Sequence, residues 1–466
     1  MQVFNSLGRK LETFAPREEG KVSIYVCGPT VQSEPHLGHG RAAVAFDVMR
    51  RYLRWRGYEV THAQNVTDIE DKIIASANEK GVAVEDLAAE MTSRFDACYR
   101  SLAVERPDME PRATEHIEQM LDLIQALIDR DLAYPAGGDV YFAVRALPGY
   151  GKLSGRNVDD LQAGARVAIG EAERDPLDVA LWKGAKPGEP QWESPWGPGR
   201  PGWHIECSAM AAEYLGEGFD IHGGGTDLIF PHHENEIAQS EGAGARPFAR
   251  YWLHNEMLNL GGEKMAKSTG HVIDLATAID HYGGAAVRLF YLRAHYRSPL
   301  EYSERLLDDA STALERLKAF CRRTEGPESD PDPNLIARFT EAMDDDFNTA
   351  DALSVVFEAV KQGNRRLDSG AEPGSVAAAF GVMIEVLGLE LGVGAEGELD
   401  PALAELASRF GVDEASTDET MTALLARRGR ARDERDWSTS DAIRDELAGI
   451  GMIVEDTADG ARWHRG

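Results

Sequence analysis

Val22-Ser-Ile-Tyr-Val26 is a run of β-branched and aromatic residues stopped by Cys27-Gly-Pro, a pattern that predicts a buried strand with Cys27 at its C-terminal tip. After a loop from Thr30 to Pro35, Val44, Val48, Tyr52 and Trp55 recur at helical spacing until Gly57 ends the run. A second strand, Glu59 to Ala63, follows at once. Strand, helix, strand is a βαβ unit, and such sheets bind ligands at the carboxyl ends of their strands, beside the N-terminus of the next helix. Cys27, His36 and His39 fall there.

A helix opens near Asn65-Val-Thr-Asp68, with Thr67 or Asp68 as its expected cap, and Leu87 to Val104 continues in helical period. The pattern then changes. Arg106-Pro-Asp-Met-Glu-Pro reads as a linker, Ile117, Leu121, Ile124 and Ile128 mark an amphipathic helix, and Asp139 to Val144 a short strand. The Pro, Gly and Trp-rich stretch Lys186 to Trp203 closes this insertion, residues 106–200, between α/β segments 1–105 and 201–302. In the second segment Tyr251-Trp-Leu-His-Asn reads as a strand, Leu258 to Gly262 as a turn, Glu263 to Gly270 as a polar loop and Ala285 to His295 as a helix. From Ser303 the spacing is helical throughout, which predicts an all-α bundle over 303–392 with an acidic linker from Thr324 to Asn334. A flexible link from Gly392 to Asp400 leads into a C-terminal piece, 393–466.

With 466 residues, several cores are expected. Neither a signal peptide nor a membrane span is expected, since the apolar stretch Val376 to Val393 is interrupted by Glu385 and Glu390; the expectation is a soluble cytoplasmic protein. Four scattered cysteines, 27, 98, 207 and 321, are too few for a disulfide framework. The net charge of -30 argues against a broad basic footprint for nucleic acid, so any such contact must be local. One local candidate is Arg427-Arg-Gly-Arg-Ala-Arg-Asp-Glu-Arg-Asp-Trp437, where arginines beside an aromatic suit stacking on unpaired bases, although the interleaved acids equally suit a salt-bridged helix.

The densest chemistry lies in Asp220-Ile-His-Gly-Gly-Gly-Thr-Asp-Leu-Ile-Phe-Pro-His-His-Glu-Asn-Glu236. On a helix, His232 and Glu236 would share a face that His233 and Glu234 do not. With Cys27 and with Cys207 from Gly202-Trp-His-Ile-Glu-Cys207, they would form a shell of two thiolates, an imidazole and a carboxylate suited to zinc. Spacing alone also allows two small buried cysteines and a polar helix face. His36-Leu-Gly-His39 at a helix start suits phosphate, and Lys264-Met-Ala-Lys-Ser268 offers two lysines and a hydroxyl to a triphosphate.

Together, Tyr25-Val-Cys-Gly-Pro-Thr30, His36-Leu-Gly-His39, Asn65-Val-Thr-Asp-Ile-Glu-Asp-Lys72, Gly202-Trp-His-Ile-Glu-Cys-Ser208, the His222 to Glu236 run and Lys264-Met-Ala-Lys-Ser268 resemble the cysteinyl-tRNA synthetases, which are class I aminoacyl-tRNA synthetases. The resemblance implies a split Rossmann-type parallel-sheet catalytic domain (1–105 and 201–302) with an inserted α/β connective domain (106–200). An all-α helical bundle (303–392) and a small anticodon-binding domain (393–466) follow. It makes Cys27, Cys207, His232 and Glu236 the ligands of one Zn2+ that binds the substrate thiolate, and His36, His39, Lys264 and Lys267 the catalytic groups. Gly38, Asp227, Lys267 and Ser268 would hold ATP with its Mg2+, Asp227 at the ribose; Thr30, Trp203 and His222, with Cys27, would line the amino-acid pocket. L-cysteine, ATP and cysteine tRNA would be the partners of a monomer. Leu37 and Ala266 depart from the family's usual Ile and Ser, and His233 receives no role. Two other readings remain: a ligase joining cysteine to an amino-sugar by the same chemistry but without the tail, and a non-catalytic zinc-containing RNA-binding relative. Similarity of Met343-Asp-Asp-Asp-Phe-Asn-Thr349 and of the tail from Ile443 to Trp463 to the synthetases favours tRNA.

Overall fold

The computed structural model describes residues 1–158, 173–260, 263–264, 273–324, 329–391, 401–412, 417–457 and 460–465. In chain order, a hairpin β1 (Gln2–Asn5) and β2 (Lys10–Thr13) precedes β3 (Lys21–Val26), α1 (Leu37–Trp55) and β4 (Glu59–Gln64). Then come α2 (Asp71–Lys80), α3 (Val84–Ser101), α4 (Ile117–Ile128), β5 (Ala133–Ala136), β6 (Asp139–Phe142), β7 (Val179–Gly184) and β8 (Gly199–Pro201). The α/β pattern resumes with α5 (Trp203–Leu215), β9 (Phe219–Gly225), α6 (Glu234–Ala243), β10 (Ala249–Asn255), β11 (Leu258–Leu260), β12 (Glu263–Lys264), α7 (Leu275–Tyr282), α8 (Gly284–Leu292) and β13 (Leu300–Tyr302). Four long helices follow: α9 (Glu304–Arg323), α10 (Pro333–Asp344), α11 (Thr349–Asp368) and α12 (Gly374–Val386). The C-terminal part holds α13 (Pro401–Arg409), α14 (Thr417–Asp433), α15 (Trp437–Gly449) and the hairpin β14 (Met452–Thr457) and β15 (Gly460–Arg465).

The central sheet is parallel, in the order β10, β9, β3, β4. Both faces are covered, so its strands are buried along most of their length. Val22, Ile24 and Val26 point into a core shared with α1 and the helical bundle, where Leu307, Phe339, Val356 and Met383 pack. Tyr25 points the other way, into a core shared with α5 and the insertion, which contributes Met120, Ile124, Phe142 and Trp182. Crossovers leave β3 toward β4 and β9 toward β10, in opposite directions along the sheet. The carboxyl ends of β3 and β9 therefore flank a topological switch point, the crevice where open α/β sheets bind ligands.

Residues Met1–Leu391 form one compact unit and Gly392–Gly466 a second. The second has its own small core, including Leu403, Met421, Leu424, Ile443 and Met452. The expected link from Gly392 to Asp400 lies outside the described residues. Among the described residues no helix is long and apolar enough to cross a membrane.

Two local expectations fail. The cap of α2 is Glu70, whose carboxylate accepts from Lys72 N at 2.7 Å, because Thr67 and Asp68 are engaged elsewhere. Thr67 Oγ1 donates to Glu206 at 3.1 Å, and Asp68 accepts from Thr114 N and Oγ1. Leu258 to Gly262, expected to be a turn, begins as β11, paired to β12 and, in parallel, to β13 some forty residues later.

Candidate active site

The tip of β3 is fixed from both neighbours. Cys27 N donates to Gly223 O at 3.0 Å on the β9 side, and Gly28 N to Asn65 Oδ1 at 2.9 Å on the β4 side. A Cβ at Gly28 would be driven into the Asn65 carbonyl, so only glycine allows this approach. Gly223 is constrained similarly, with no room for a side chain against the Phe46 ring. Gly223→Ala is expected to destabilise the fold by about 1–3 kcal/mol through this overpacking, with Gly223→Ala/Phe46→Leu recovering part of it in thermal melts.

Past β9 the chain does not enter a helix at once. Residues Ile229–His233 carry a kink at Phe230, whose backbone is extended (φ -142°, ψ 130°); beyond it the chain is helical and runs through His233 into α6. His232 lies beyond the kink, in helical backbone continuous with α6, and meets Glu236 at i, i+4, with His232 Nε2 at 3.2 Å from Glu236 Oε1. Cys27 Sγ lies 3.4 Å from the same oxygen, and Cys207 comes in from α5. Ligand atoms of Cys27, Cys207, His232 and Glu236 all lie within 4.8 Å of one another. Cys27, His222, His233 and Glu236 form an overlapping set by the same measure.

Electrostatics separate the two sets. Glu236 is fully buried; burial alone would raise its carboxyl, but His222 and His232 outweigh it and hold the group below its ordinary range. His222 Nε2 bonds Glu236 Oε2 at 2.7 Å, and its ring stacks on Trp252 at 4.3 Å, so that nitrogen is already committed. His232 stays neutral, pushed down to about 3 by burial; its ring stacks on Trp203 at 4.4 Å and its Nδ1 meets His204 Nδ1 at 2.8 Å. Burial raises both thiols, and for Cys27 the neighbouring Cys207 and Glu236 raise it further. A half-buried thiol, a buried thiol and a buried carboxylate at this distance need a cation for all three to be ionised together.

The other expected residues stand on several elements. His36 caps α1; its ring stacks on His39 at 3.7 Å, and His39 also meets the edge of Phe95 at 5.0 Å. Gly38 lies in the first turn of α1. The chain beyond the Lys264 loop returns here, Leu37 N donating to Ile273 O at 3.1 Å and Leu275 N to Pro35 O at 3.0 Å. Asp227 is exposed in the turn after β9. Thr30 is bridged to Thr67 at the β4 tip, and Trp203 starts α5 with Lys72 Nζ 5.6 Å from its ring. His222, expected at the amino-acid pocket, is fully buried behind Glu236. Lys264 lies in β12, whereas Ala266, Lys267 and Ser268 lie outside the described residues.

Several polar residues of the cluster were not singled out from sequence. Asn65 reaches Gly28 N and lies 3.6 Å from Cys207 Sγ; His204 backs His232; His254 Nε2 meets His233 Nδ1 at 2.7 Å and its Nδ1 meets Ser6 Oγ at 2.8 Å. Among these, His204 and Asn65 stand inside quoted motifs, the one signal that could have found them.

Family profiles match three stretches: a tRNA synthetases class I (C) catalytic domain over residues 13–312, a DALR domain over 338–394 and a cysteinyl-tRNA ligase anticodon binding domain over 415–463. Curated relatives include cysteine-tRNA ligases of Desulforudis audaxviator, 48% identical, and Shewanella loihica, 47% identical, each alignment covering 100% of both chains. Among solved structures, the fold is similar to Mycobacterium tuberculosis methionyl-tRNA synthetase in complex with methionyl-adenylate (TM-score 0.59, 16% identity, 79% of this chain and 89% of that one). It is also similar to an Agrobacterium radiobacter LeuRS in a ternary complex with tRNA and LeuAMS (TM-score 0.57, 12% identity, 80% and 84%). With near-half identity across the whole length and a class I catalytic profile over most of it, the chain belongs to the cysteine-tRNA ligase family of class I aminoacyl-tRNA synthetases.

Proposed function

We propose that this protein attaches L-cysteine to cysteine tRNA at the β3–β9 switch point, with the thiol side and the nucleotide side of the reaction on opposite flanks of that crevice. The observation that carries the reading is the meeting of four zinc-competent donors at the carboxyl tip of β3, the strand that leads into the His36-Leu-Gly-His39 helix start. Cys27, Cys207, His232 and Glu236 would hold zinc; the alternative set has one thiolate fewer and draws on His222, whose Nε2 already orients Glu236. Bound there, zinc supplies a soft Lewis acid that prefers a thiolate to the hydroxyl of serine, a distinction that packing alone makes poorly.

In the first step the cysteine carboxylate attacks the α-phosphate of ATP, giving cysteinyl-adenylate and releasing pyrophosphate. A terminal ribose hydroxyl of the tRNA then attacks the acyl carbon, and AMP leaves. The chain's part in the first step is positioning and charge stabilisation. His36, His39 and the backbone N–H of Gly38 face the phosphates, Asp227 takes the ribose hydroxyls, and Lys264, Lys267 and Ser268 meet the β- and γ-phosphates, with Mg2+ carried by ATP. Trp203 and Thr30 bound the amino-acid pocket, and His222 acts through Glu236.

Segments 1–105 and 201–302 form the catalytic domain, 106–200 the connective insertion, 303–392 the bundle and 393–466 the anticodon reader of a monomer. In the last of these, Trp437 is 57% exposed and follows the exposed arginines 427, 430, 432 and 435, while Arg428 is buried. The anticodon binding profile over 415–463 favours this reading over an amino-sugar ligase without a tail. Trp437→Ala is expected to cut kcat/KM for tRNA charging by about tenfold or more, from the loss of one base-stacking platform worth about 1–3 kcal/mol. Cysteine-dependent ATP-pyrophosphate exchange should not change. Equal charging by the variant removes Trp437 from the tRNA interface, and absence of exchange by the zinc-loaded wild type removes the ligase reading.

A further inference from the structure

The acidic run Met343-Asp-Asp-Asp-Phe-Asn-Thr349 sits between α10 and α11 of the bundle, and two of its carboxylates turn inward to different places. Asp344 accepts from Tyr52 Oη at 2.6 Å, pairs with Arg56 and faces the N-terminal amine at 3.8 Å; it fastens the end of α1. Asp346 is 1% exposed and has φ +58°, a left-handed conformation costly for a non-glycine residue. Its Oδ1 accepts from Phe4 N at 2.7 Å and Tyr296 Oη at 2.8 Å, and its Oδ2 from Arg297 Nε at 2.5 Å, with His295 Nε2 3.6 Å away. Its own N–H donates to Gln2 O at 3.0 Å.

The turn it grips continues into the nucleotide side of the site. Arg41 of α1 donates to Met257 O at 2.7 Å and to the carbonyls of His295, Tyr296 and Ser298. Tyr296 O accepts from Glu256 N at 2.8 Å, and the Glu256 carboxylate accepts from Met257 N and from Thr226 Oγ1, next to Asp227. Leu300 N donates to Met257 O at 3.3 Å where β13 begins to pair with β11, and β11 places Asn259 opposite Lys264 in β12. One buried carboxylate of the bundle thus anchors a hydrogen-bonded frame that ends on the Asp227 turn and on the strand bearing Lys264.

We propose that Asp346 is a positioning residue for the ATP half-reaction: it sets the 295–298 turn, and through it the β11–β12–β13 sheet and the Thr226–Asp227 turn, at the separation that adenylate formation requires. This rests on the assignment of Asp227 and the Lys264–Ser268 loop to ATP. A small misplacement of groups that act by position is enough to cost orders of magnitude in rate.

The test is cysteine-dependent ATP-pyrophosphate exchange by the full-length enzyme, with active sites counted from the burst of adenylate. Asp346→Asn keeps the side chain's size but removes the charge facing Arg297. Expected are a kcat per active site about tenfold lower, a KM for ATP raised several-fold and a KM for cysteine within about twofold of wild type. Tyr296→Phe approaches the same contact from the catalytic side, should give a smaller loss of the same kind, and decides the matter if Asp346→Asn does not fold. Asp344→Asn loosens the same bundle without reaching the turn, so it should lower the melting temperature and leave kcat and both KM values unchanged. Unchanged kinetics per active site in Asp346→Asn and Tyr296→Phe overturn the proposal, as does an equal ATP-specific loss in Asp344→Asn. Lys267→Ala is the reference: if exchange survives it undiminished, the assignment of the loop to ATP fails, whereas a loss there with no effect at Asp346 and Tyr296 refutes this inference alone.

Discussion

Cys207→Ser is expected to leave the protein folded, to lower its zinc from one ion per chain to a small fraction of that, and to reduce kcat/KM for cysteine in pyrophosphate exchange by more than about a hundredfold. The site explains why so small a change should matter. Cys207 is 1% exposed, and its ligand atom lies within 4.8 Å of those of Cys27, His232 and Glu236. An alcohol at this position stays protonated at neutral pH and is a poor partner for zinc beside two nitrogen or oxygen donors and one thiolate. Losing a mere orienting partner of a metal ligand typically costs about 10–100-fold in affinity, so losing a ligand should cost more. His222→Ala is the graded companion: it removes the bond to Glu236 Oε2 while sparing the four donors, and should weaken metal binding by about 10–100-fold. Metal content after dialysis against a weak chelator reads both effects independently of turnover. Equal zinc in wild type and Cys207→Ser would take Cys207 out of the ligand set, and with it the basis for selecting a thiol over a hydroxyl.

What could be read from sequence follows how local the causes are. The strand ending at Cys27 and the helix beginning after His36 are legible because a β-branched run, a Gly-Pro stop and a 3.6-residue period are all local signals, and the structure has β3 ending at Val26 and α1 beginning at Leu37. The parallel sheet could be expected from the βαβ order, but its strand order could not, since the placement of β9 beside β3 is a pairing across almost two hundred residues. The same reason hid β11, whose apolar residues are too few to mark a strand until β13 returns beside it. His232 and Glu236 could be named together from their four-residue spacing, and they meet across one helical turn; what the spacing did not announce is the kink at Phe230 just before it. The polar support of the site was the least legible part. His254, Asn65 and Asp346 are ordinary polar residues in sequence; what sets them apart is burial at 3% exposure or less and partners distant in the chain, which only the folded structure supplies.

Arg288→Met is expected to lower the stability of the unit Met1–Leu391 by about 3–5 kcal/mol, more than any other single change outside the active site considered above. Arg288 is fully buried on α8, and all three nitrogens of its guanidinium donate: Nη2 to Asp47 Oδ2 at 2.5 Å, Nε to Leu387 O at 2.8 Å, and Nη1 to Leu102 O at 2.9 Å and Ala103 O at 3.1 Å. These partners come from α1, from the end of α3 and from the end of α12, so one side chain joins the parallel-sheet half to the last helix of the bundle. Deleting it leaves three carbonyls and a carboxylate buried with fewer donors, and among the described residues Asp47 keeps Arg51 Nε at 2.8 Å and Glu105 N at 2.8 Å. Unfolding entropy on the order of 2 cal/mol/K per residue converts 4 kcal/mol in a unit of this size to a shift of about 5 °C in melting temperature. Adding Asp47→Asn to Arg288→Met should restore part of the loss, because a buried carboxylate that has lost one of its two cations costs more than the neutral amide in its place. Calorimetry of the three variants measures both statements. Coincident melting of Arg288→Met and wild type would mean that the junction is held by apolar packing alone, and a double variant weaker than the sum of the singles would show that Asp47 acts outside the pair.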